Sequence, residues 1–307
     1  EMCIRHSSYI TEVEPKKLLI RNVEIESKKV TKAITIVHFS DVQSAKIGAY
    51  EKRIFKTIQK IGADLILYTG DFLQLPKELK FEDEWSELHD LFKSLNPRFG
   101  IYAVYGDTEL ALYSVPKDEV LAIKILSSNS ESFSYEGGNI SIYGLSLYNS
   151  KTPLWAMRGI ETWLKNHDET YYKIILGHSP NYALALKDSK VDLCLAGHTH
   201  GGQVRIPFYG PLTIDSEIPK NWSRGFHKIG FPYLNVLEIN RKSFWRLLDN
   251  FLMISLLKCI RNQWKKLLEA PGQFLSLIHI SEPTRQAELW GGVGGGGKRG
   301  GGGGGGG

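Results

Sequence analysis

Residues 197–211 read Gly-His-Thr-His-Gly-Gly-Gln-Val-Arg-Ile-Pro-Phe-Tyr-Gly-Pro and follow the apolar run 191–196. The apolar run predicts a buried strand. His198 and His200 are two residues apart, so in an extended segment both imidazoles point to the same side. The surrounding glycines allow the backbone to turn tightly there. Because two neutral imidazoles at the end of a strand are good metal ligands, this stretch predicts half of a metal site.

Four apolar runs upstream end in the same way, each at a polar turn that carries an aspartate or a histidine. The runs are 33–39, 64–68, 100–105 and 172–176, and the residues that follow them are Asp41, Asp71, Asp107 and His178. In open α/β sheets the functional crevice lies at the carboxyl ends of the strands. Three carboxylates and three imidazoles that converge at such a crevice suit a pair of divalent metal ions.

In this order the motifs resemble those of the calcineurin-like metallophosphoesterases, whose pattern is Asp-x-His, Gly-Asp, Gly-Asn-His-(Asp/Glu), His and Gly-His-x-His. The resemblance covers residues 33–240. It implies an α/β fold in which a two-sheet β-sandwich is flanked by helices, in four layers. It also implies hydrolysis of a phosphoester or pyrophosphate bond. The stretch around His198 is most similar to a membrane-associated branch near the hydrolases of UDP-2,3-diacylglucosamine in lipid A synthesis, so a lipid-linked nucleotide is one expected substrate.

The resemblance further implies two divalent metal ions that share one carboxylate ligand, with Mn, Fe and Zn all compatible with the ligand types. The first site is implied to hold Asp41, Gln43, Asp71 and His200, and the second Asp71, Asp107, His178 and His198. Two metal ions at such a spacing activate a shared water and clamp the phosphate.

Three positions depart from the family pattern. Gln43 stands where the family has histidine, and an amide is a poorer ligand than an imidazole. Asp107 replaces an asparagine and adds a negative charge. Thr108 replaces the histidine credited with protonating the leaving group, and threonine is no general acid at neutral pH. Glu109 keeps the acidic position, so it has either lost its partner or donates a proton through water.

These considerations select the candidate site residues. The predicted catalytic residues are Asp71, Asp107 and Glu109, and the predicted substrate contacts are Thr108, Gln203 and Arg205. Arg205 suits a phosphate contact, but a salt bridge within a strand fits it equally well. The departures at Gln43 and Thr108 leave an alternative open, in which the chain is a catalytically impaired metal-binding scaffold on the same fold.

The chain divides into four predicted segments. They are an edge strand with its lead-in (1–32), the metallophosphoesterase domain (33–240), a basic amphipathic helix (241–274) and an artefact (275–307). Residues 275–285 match the in-frame translation of a sequencing adaptor and a glycine-rich tract follows, so we expect no specific contact from 275–307. Residues 244–268 suit peripheral contact with an anionic membrane surface, or packing on the domain itself.

Composition excludes some classes of protein. A net charge of +5 over 307 residues does not indicate a nucleic-acid partner. Three widely spaced cysteines imply no disulfide framework and favour a reducing compartment. We therefore expect a cytoplasmic protein, and peripheral contact at the inner membrane surface through 244–268 stays an open alternative. No run of about 20 apolar residues is present, and an anchor before Glu1 stays open.

Periodicity and turn residues predict the remaining elements. Helices are predicted at 50–61, 81–95, 117–126 and 153–164, an edge strand at 18–25, a hairpin of 132–135 with 139–145, and late strands at 225–229 and 233–239. Ser179 is the predicted N-cap of a helical segment that begins at Pro180.

Overall fold

The structure is a computed structural model that describes residues 18–75, 80–109, 122–202, 205–206, 210–211, 214–237 and 275–281. The helices are α1 (Ala49–Ile61), α2 (Phe81–Lys93), α3 (Leu147–Lys151) and α4 (Pro153–Asn166), with 3₁₀ turns at Pro180–Ala185 and Lys220–Trp222. The first strands are β1 (Leu19–Ile25), β2 (Thr35–Phe39), β3 (Leu65–Tyr68), β4 (Ile101–Ala103), β5 (Lys124–Ile125), β6 (Asn129–Tyr135) and β7 (Gly138–Gly144). The later strands are β8 (Tyr171–Leu176), β9 (Leu193–Ala196), β10 (Arg205–Ile206), β11 (Gly210–Pro211), β12 (Gly225–Lys228), β13 (Tyr233–Val236) and β14 (Leu275–Ser281).

Two six-stranded sheets form the centre of the fold. The first has the order β1-β14-β2-β3-β4-β5 and the second the order β12-β13-β9-β8-β7-β6, while β10 and β11 form a separate pair. In the first sheet the five neighbouring strands β14, β2, β3, β4 and β5 run parallel, and in the second sheet β13, β9, β8 and β7 run parallel. The parallel strands therefore present their carboxyl ends as a continuous edge in each sheet, which is where the polar motifs lie.

Three hydrophobic clusters show that the sheets and helices stack in four layers. Alternate residues of β2 point to opposite faces, as strand geometry requires. Val37 and Phe39 pack against residues of α1 and α2, whereas Ile36 packs between the two sheets against residues of β7, β8 and β9. The third cluster covers the outer face of the second sheet with α4. The predicted two-sheet sandwich flanked by helices is confirmed.

Most of the predicted elements are confirmed within a few residues. Both long amphipathic helices, the hairpin, the edge strand and the two late strands are present. The Ser179 side chain accepts a hydrogen bond from the Asn181 amide, as expected of an N-cap. The helix predicted at 117–126 is wrong for Lys124–Ile125, which form β5 beside β4. The apolar spacing of that stretch suits a helix, but the open edge of β4 offers backbone partners to an extended segment.

The expectation that 275–307 makes no contact with the domain is wrong for seven residues. β14 (Leu275–Ser281) lies between β1 and β2, antiparallel to the former and parallel to the latter. The sequence Leu-Ser-Leu-Ile-His-Ile-Ser partly alternates apolar and polar residues, which suits a strand. Two flanking strands with free backbone groups can pair with any such segment. The interpretation of this stretch as an artefact stays a prediction.

Residues 238–274, which include the basic segment 244–268, lie outside the described part of the chain. Within the described part, no helix combines the length and the apolar character needed to cross a membrane.

Candidate metal centre

Five loops that follow parallel strands meet at one crevice and are tied together through their backbones. The amide of Asp41 donates to the carbonyl of Gly70 at 2.9 Å, and the amide of Gly197 donates to the carbonyl of His178 at 3.0 Å. The second bond joins loops of adjacent strands, and the Asp41 carboxylate reaches across to the backbone amide of His198 at 3.1 Å. The crevice is therefore built from both sheets.

The structure brings the six predicted aspartate and histidine ligands into two groups. Asp41, Asp71 and His200 form one group, and Asp107, His178 and His198 form the other, with the ligand atoms of each group within 4.8 Å of one another. The groups adjoin at Asp71, whose Oδ1 lies 3.5 Å from His178 Nε2. This is the division that the sequence motifs implied, with Asp71 placed where it can serve both sites.

The backbone is unusual at most of these positions. The φ angles of Asp41, Gln43, Asp71, His198 and His200 are 52°, 38°, 62°, 66° and 49°. The left-handed region costs a non-glycine residue roughly 1–2 kcal/mol. Such conformations persist where the surrounding structure enforces them, and they concentrate at functional sites. Here they turn the side chains of the strand-end loops into the crevice.

Two glycines of the motifs leave room for the carboxylates. A Cβ atom at Gly197 would lie 2.2 Å from Asp41 Oδ2, and one at Gly106 would lie 2.3 Å from Asp71 Oδ1. Any side chain at these positions would displace one of these carboxylates. The glycines thus allow the backbone to approach the carboxylates closely.

A chain of hydrogen bonds orients His178. Its Nδ1 lies 2.7 Å from the carbonyl oxygen of Thr69, which can only accept, so Nδ1 carries the proton. The Thr69 hydroxyl contacts His38, which contacts Asn235 on the second sheet. His178 Nε2 is buried and has no hydrogen-bond partner among the described residues. Nε2 also lies 3.5 Å from carboxylate oxygens of Asp71 and Asp107. This arrangement suits a metal ligand, because metal-binding histidines typically donate their other ring nitrogen to a carbonyl or carboxylate oxygen.

The crowding of negative charge shifts the pKa values of the site. Burial raises the pKa of Asp41 to about 6, with a further contribution from Asp71. Burial alone would lower the pKa of His178, but Asp71, Asp107 and Asp41 outweigh it and raise that pKa to about 10. The positive charges of His178, His198 and Lys151 outweigh burial and hold the pKa of Asp107 well below its usual range. Three clustered carboxylates therefore need cations, and dipositive metal ions fit this donor set.

Comparison with known proteins identifies the family. The profile of the calcineurin-like phosphoesterases matches residues 34–202, which contain every predicted metal ligand. The chain belongs to the calcineurin-like phosphoesterase family. The metallophosphoesterase YkuE of Bacillus subtilis is 30% identical over 208 residues, which are 66% of this chain and 70% of that protein.

Two further relatives are similar to this chain over more than half of its length. YkoQ of Bacillus subtilis is 25% identical over 225 residues, covering 69% of this chain and 79% of that metallophosphoesterase. The UDP-2,3-diacylglucosamine pyrophosphatase LpxG of Chlamydia muridarum is 22% identical over 220 residues, covering 57% of this chain and 66% of LpxG. The family and the names of these relatives indicate a phosphoester hydrolase.

The position at which the family pattern has a histidine is occupied by a buried amide. The Gln43 Nε2 group donates a hydrogen bond to Asp71 Oδ2. In this orientation the amide nitrogen faces the carboxylate. A metal ligand at this position would have to be the amide oxygen, because the amide nitrogen donates and offers no lone pair.

The hydrogen bonds of Thr108 and Glu109 give both side chains structural partners instead of a position for proton transfer. The Thr108 hydroxyl donates to Glu109 Oε1 at 2.7 Å, and its backbone amide donates to Asp71 Oδ1 at 3.1 Å. Glu109 is 1% exposed. Its carboxylate accepts from the amides of Asp71 and Phe72 at 2.9 and 2.6 Å and from the amide of Gly106. Glu109 therefore clamps two metal-ligand loops, and its catalytic assignment stays a prediction.

The sequence reasoning missed two charged residues beside the candidate ligands: Lys151, and Asp215, whose Oδ2 lies 3.6 Å from His198 Nε2. Lys151 Nζ lies 2.5 Å from Asp107 Oδ1. Nothing local marks Lys151, because it and Asp107 are 44 positions apart and lie in no common motif. Of the predicted substrate contacts, Gln203 lies outside the described residues, and only the backbone of Arg205, in β10, is described.

Proposed function

We propose that this metallophosphoesterase hydrolyses a phosphoester or pyrophosphate bond with two divalent metal ions, Mn, Fe or Zn. The observation that carries the proposal is the pair of ligand groups that adjoin at Asp71. When bound, the metal ions would supply an activated water and the Lewis acidity that polarises the phosphate.

The residues that would hold the two metal ions follow from their positions in the crevice. The Asp71 carboxylate has two oxygens, and Oδ1 already faces the second group while Oδ2 faces Gln43. Asp41 and His200 would complete the first site, and Asp107, with His178 and His198, the second. Glu109 would hold the loops of Asp71 and Gly106 in register.

For the substrate, we propose a phosphorylated small molecule that carries apolar groups, such as a lipid-linked nucleotide of the UDP-2,3-diacylglucosamine type. The relative LpxG, which acts on that compound by its name, supports this choice. Three exposed apolar side chains, together called the apolar ledge, also support it: Tyr148, Leu154 and Trp155. They flank Lys151 along the chain, and Lys151 contacts Asp107 of the crevice. The exposed fractions of the three side chains are 61%, 81% and 48%, and the rings of Tyr148 and Trp155 are in contact at 5.8 Å.

For the location of the protein, we propose peripheral binding at the inner face of the membrane, which is where a lipid-linked substrate would be reached. It rests on the basic residues interleaved with apolar ones in 244–268, a pattern that favours an anionic membrane surface.

Metal analysis combined with a substrate panel tests the proposed reaction. The panel contains a phosphomonoester, a phosphodiester and a nucleotide-linked diacyl pyrophosphate, and Asp71→Ala provides the inactive control. We expect about two metal ions per chain and turnover of at least one substrate. A wild-type protein that binds two metal ions and hydrolyses nothing on the panel would instead support the scaffold alternative.

Acyl-chain dependence tests the substrate class separately. We expect Leu154→Ser with Trp155→Ser to raise KM for a long-chain substrate and to leave a water-soluble phosphodiester unaffected. An equal effect on both substrates would contradict a role of the ledge in binding apolar groups.

A further inference from the structure

Lys151 is held in place by the loop that carries His178. It is the last residue of α3, and its carbonyl oxygen accepts a hydrogen bond from Asn181 Nδ2 at 3.2 Å. The preceding residue, Ser150, is buried and accepts from the amide of Ser179 at 3.2 Å. The backbone of Lys151 is therefore fixed relative to the metal ligands.

The two oxygens of Asp107 face different partners. Oδ2 lies 3.0 Å from His198 Nδ1 and 3.5 Å from His178 Nε2, within the second ligand group. Oδ1 lies 2.5 Å from Lys151 Nζ. One oxygen of the Asp107 carboxylate thus faces the candidate metal site and the other faces Lys151. Lys151 therefore reaches the crevice without occupying a ligand position.

The ammonium group has capacity for another partner. An ammonium carries three donors, and Asp107 takes one of them in the structure. The Lys151 side chain is 41% exposed, so it remains open to a ligand in the crevice. At the position where the family pattern has histidine, the Thr108 hydroxyl is instead engaged with Glu109.

We propose that Lys151 donates to an oxygen of the substrate phosphate, with Asp107 as the group that holds its ammonium at the edge of the second metal site. The inference rests on the proposed function. A fixed positive charge beside the reacting phosphate stabilises the charge that develops in the transition state. Lys151 would thus supply, from a different element, a cation that Thr108 does not.

Inorganic phosphate is the probe that tests this contact without turnover. Its affinity is measured by calorimetry on the metal-loaded full chain and by competitive inhibition. The variants are Lys151→Met, which keeps the apolar stem, and Lys151→Arg, which keeps the charge. The control is Lys190→Met, because Lys190 forms an exposed ion pair with Glu169.

We expect Lys151→Met to weaken phosphate binding about tenfold, the typical contribution of one hydrogen bond between charged groups. Its metal content should equal that of the wild type. Lys151→Arg should restore most of the affinity, and Lys190→Met should change nothing. With a turned-over substrate, kcat/KM should fall at least as far, because the contact persists in the transition state.

Two results would overturn the assignment. Unchanged phosphate affinity in Lys151→Met would show that the ammonium does not reach the phosphate. Loss of a metal ion from Lys151→Met would show that Lys151 supports Asp107 instead of the substrate. A wild-type protein that binds metal and phosphate without any hydrolysis would overturn the proposed function, and the phosphate affinities would still decide the role of Lys151.

Discussion

The imidazole of His178 donates its Nδ1 proton to the carbonyl oxygen of Thr69 across 2.7 Å, which leaves Nε2 as the atom that faces the carboxylates of the crevice. The direction of this bond fixes which nitrogen is available to a metal ion. It also means that, in the metal-free protein, a second proton on the ring must sit at the ligand atom itself. A proton and a metal ion would therefore compete for the same nitrogen atom.

Metal affinity should consequently rise with pH. The pKa of His178 is raised to about 10 and that of Asp41 to about 6, so at neutral pH the proton on His178 Nε2 must leave when metal binds. We expect affinity to increase between about pH 6 and about pH 10 and about one proton to be released per second-site metal ion near neutral pH. Calorimetric titrations in two buffers of different ionisation enthalpy measure that release.

The stability of the metal-free protein should fall as pH rises, in contrast to the metal affinity. Because the folded pKa of His178 lies above its ordinary value of 6.5, its contribution is complete below that value and is lost as pH rises through about 10. Thermal melts of metal-free protein should therefore show a falling midpoint over this range. An equal fall in the metal-loaded protein would place the titrating group elsewhere.

Asp71→Ala should remove metal from both sites and abolish hydrolysis. Asp71 contributes an oxygen to the first ligand group and lies beside His178 of the second, so no other residue replaces it. Elemental analysis after dialysis measures the loss. Asp188→Ala is the control, because Asp188 is exposed. Retention of one metal ion by Asp71→Ala would show that Asp71 serves a single site.

Gln43→His should improve metal retention at the first site. It places an imidazole where an amide now donates to Asp71, and imidazole is the better ligand for these metals. Activity should rise less, since the Thr108 side chain would still contribute no general acid. Metal content after dialysis against a chelator, compared with kcat, separates the two effects.

The double variant Gln43→His with Thr108→His decides between enzyme and scaffold. We expect wild type to turn over substrate and the double variant to change this little. Turnover that appears only in the double variant would show that the natural chain has lost catalytic activity and would support the scaffold alternative.

The sequence predicted which candidate ligands meet at this crevice better than it predicted the contacts that support them, for a physical reason. Parallel strands align their carboxyl ends, so each polar turn after an apolar run could be placed at one edge without knowledge of the loops. Contacts such as those of Lys151 with Asp107 or Asn235 with His38 join residues 44 and 197 positions apart. They depend on how helices and sheets pack, and periodicity within one segment does not encode that packing.

The same limit explains the error at 117–126. Helical spacing of apolar residues was present there, yet Lys124–Ile125 pair with β4 as a strand. Whether a short apolar segment becomes strand or helix depends on the partner that the rest of the fold offers.

Gly197→Ala should disrupt the first metal site with little global unfolding. Its Cβ would lie 2.2 Å from Asp41 Oδ2 and 2.3 Å from Ser40 Oγ, so the Asp41 carboxylate must move. We expect metal affinity at that site to fall at least about tenfold, because loss of a contact that only orients a ligand already costs that much. Gly48→Ala is the matched control, since its Cβ would meet its nearest neighbour at 3.4 Å. Equal metal binding in both variants would contradict the close approach at Gly197.

Truncation from the carboxyl end distinguishes the two parts of 275–307. β14 (Leu275–Ser281) pairs with β1 along seven residues and with β2 along four. Its removal would leave the edge of β2 open and separate β1 from the sheet. A chain that ends at residue 281 should therefore melt at the same temperature as the full chain, whereas a chain that ends at residue 274 should melt several degrees lower. Hydrogen exchange at the β2 amides should accelerate only in the shorter chain. Equal melting of all three chains would show that the pairing of β14 contributes nothing to stability, and would support the interpretation of this segment as foreign to the domain.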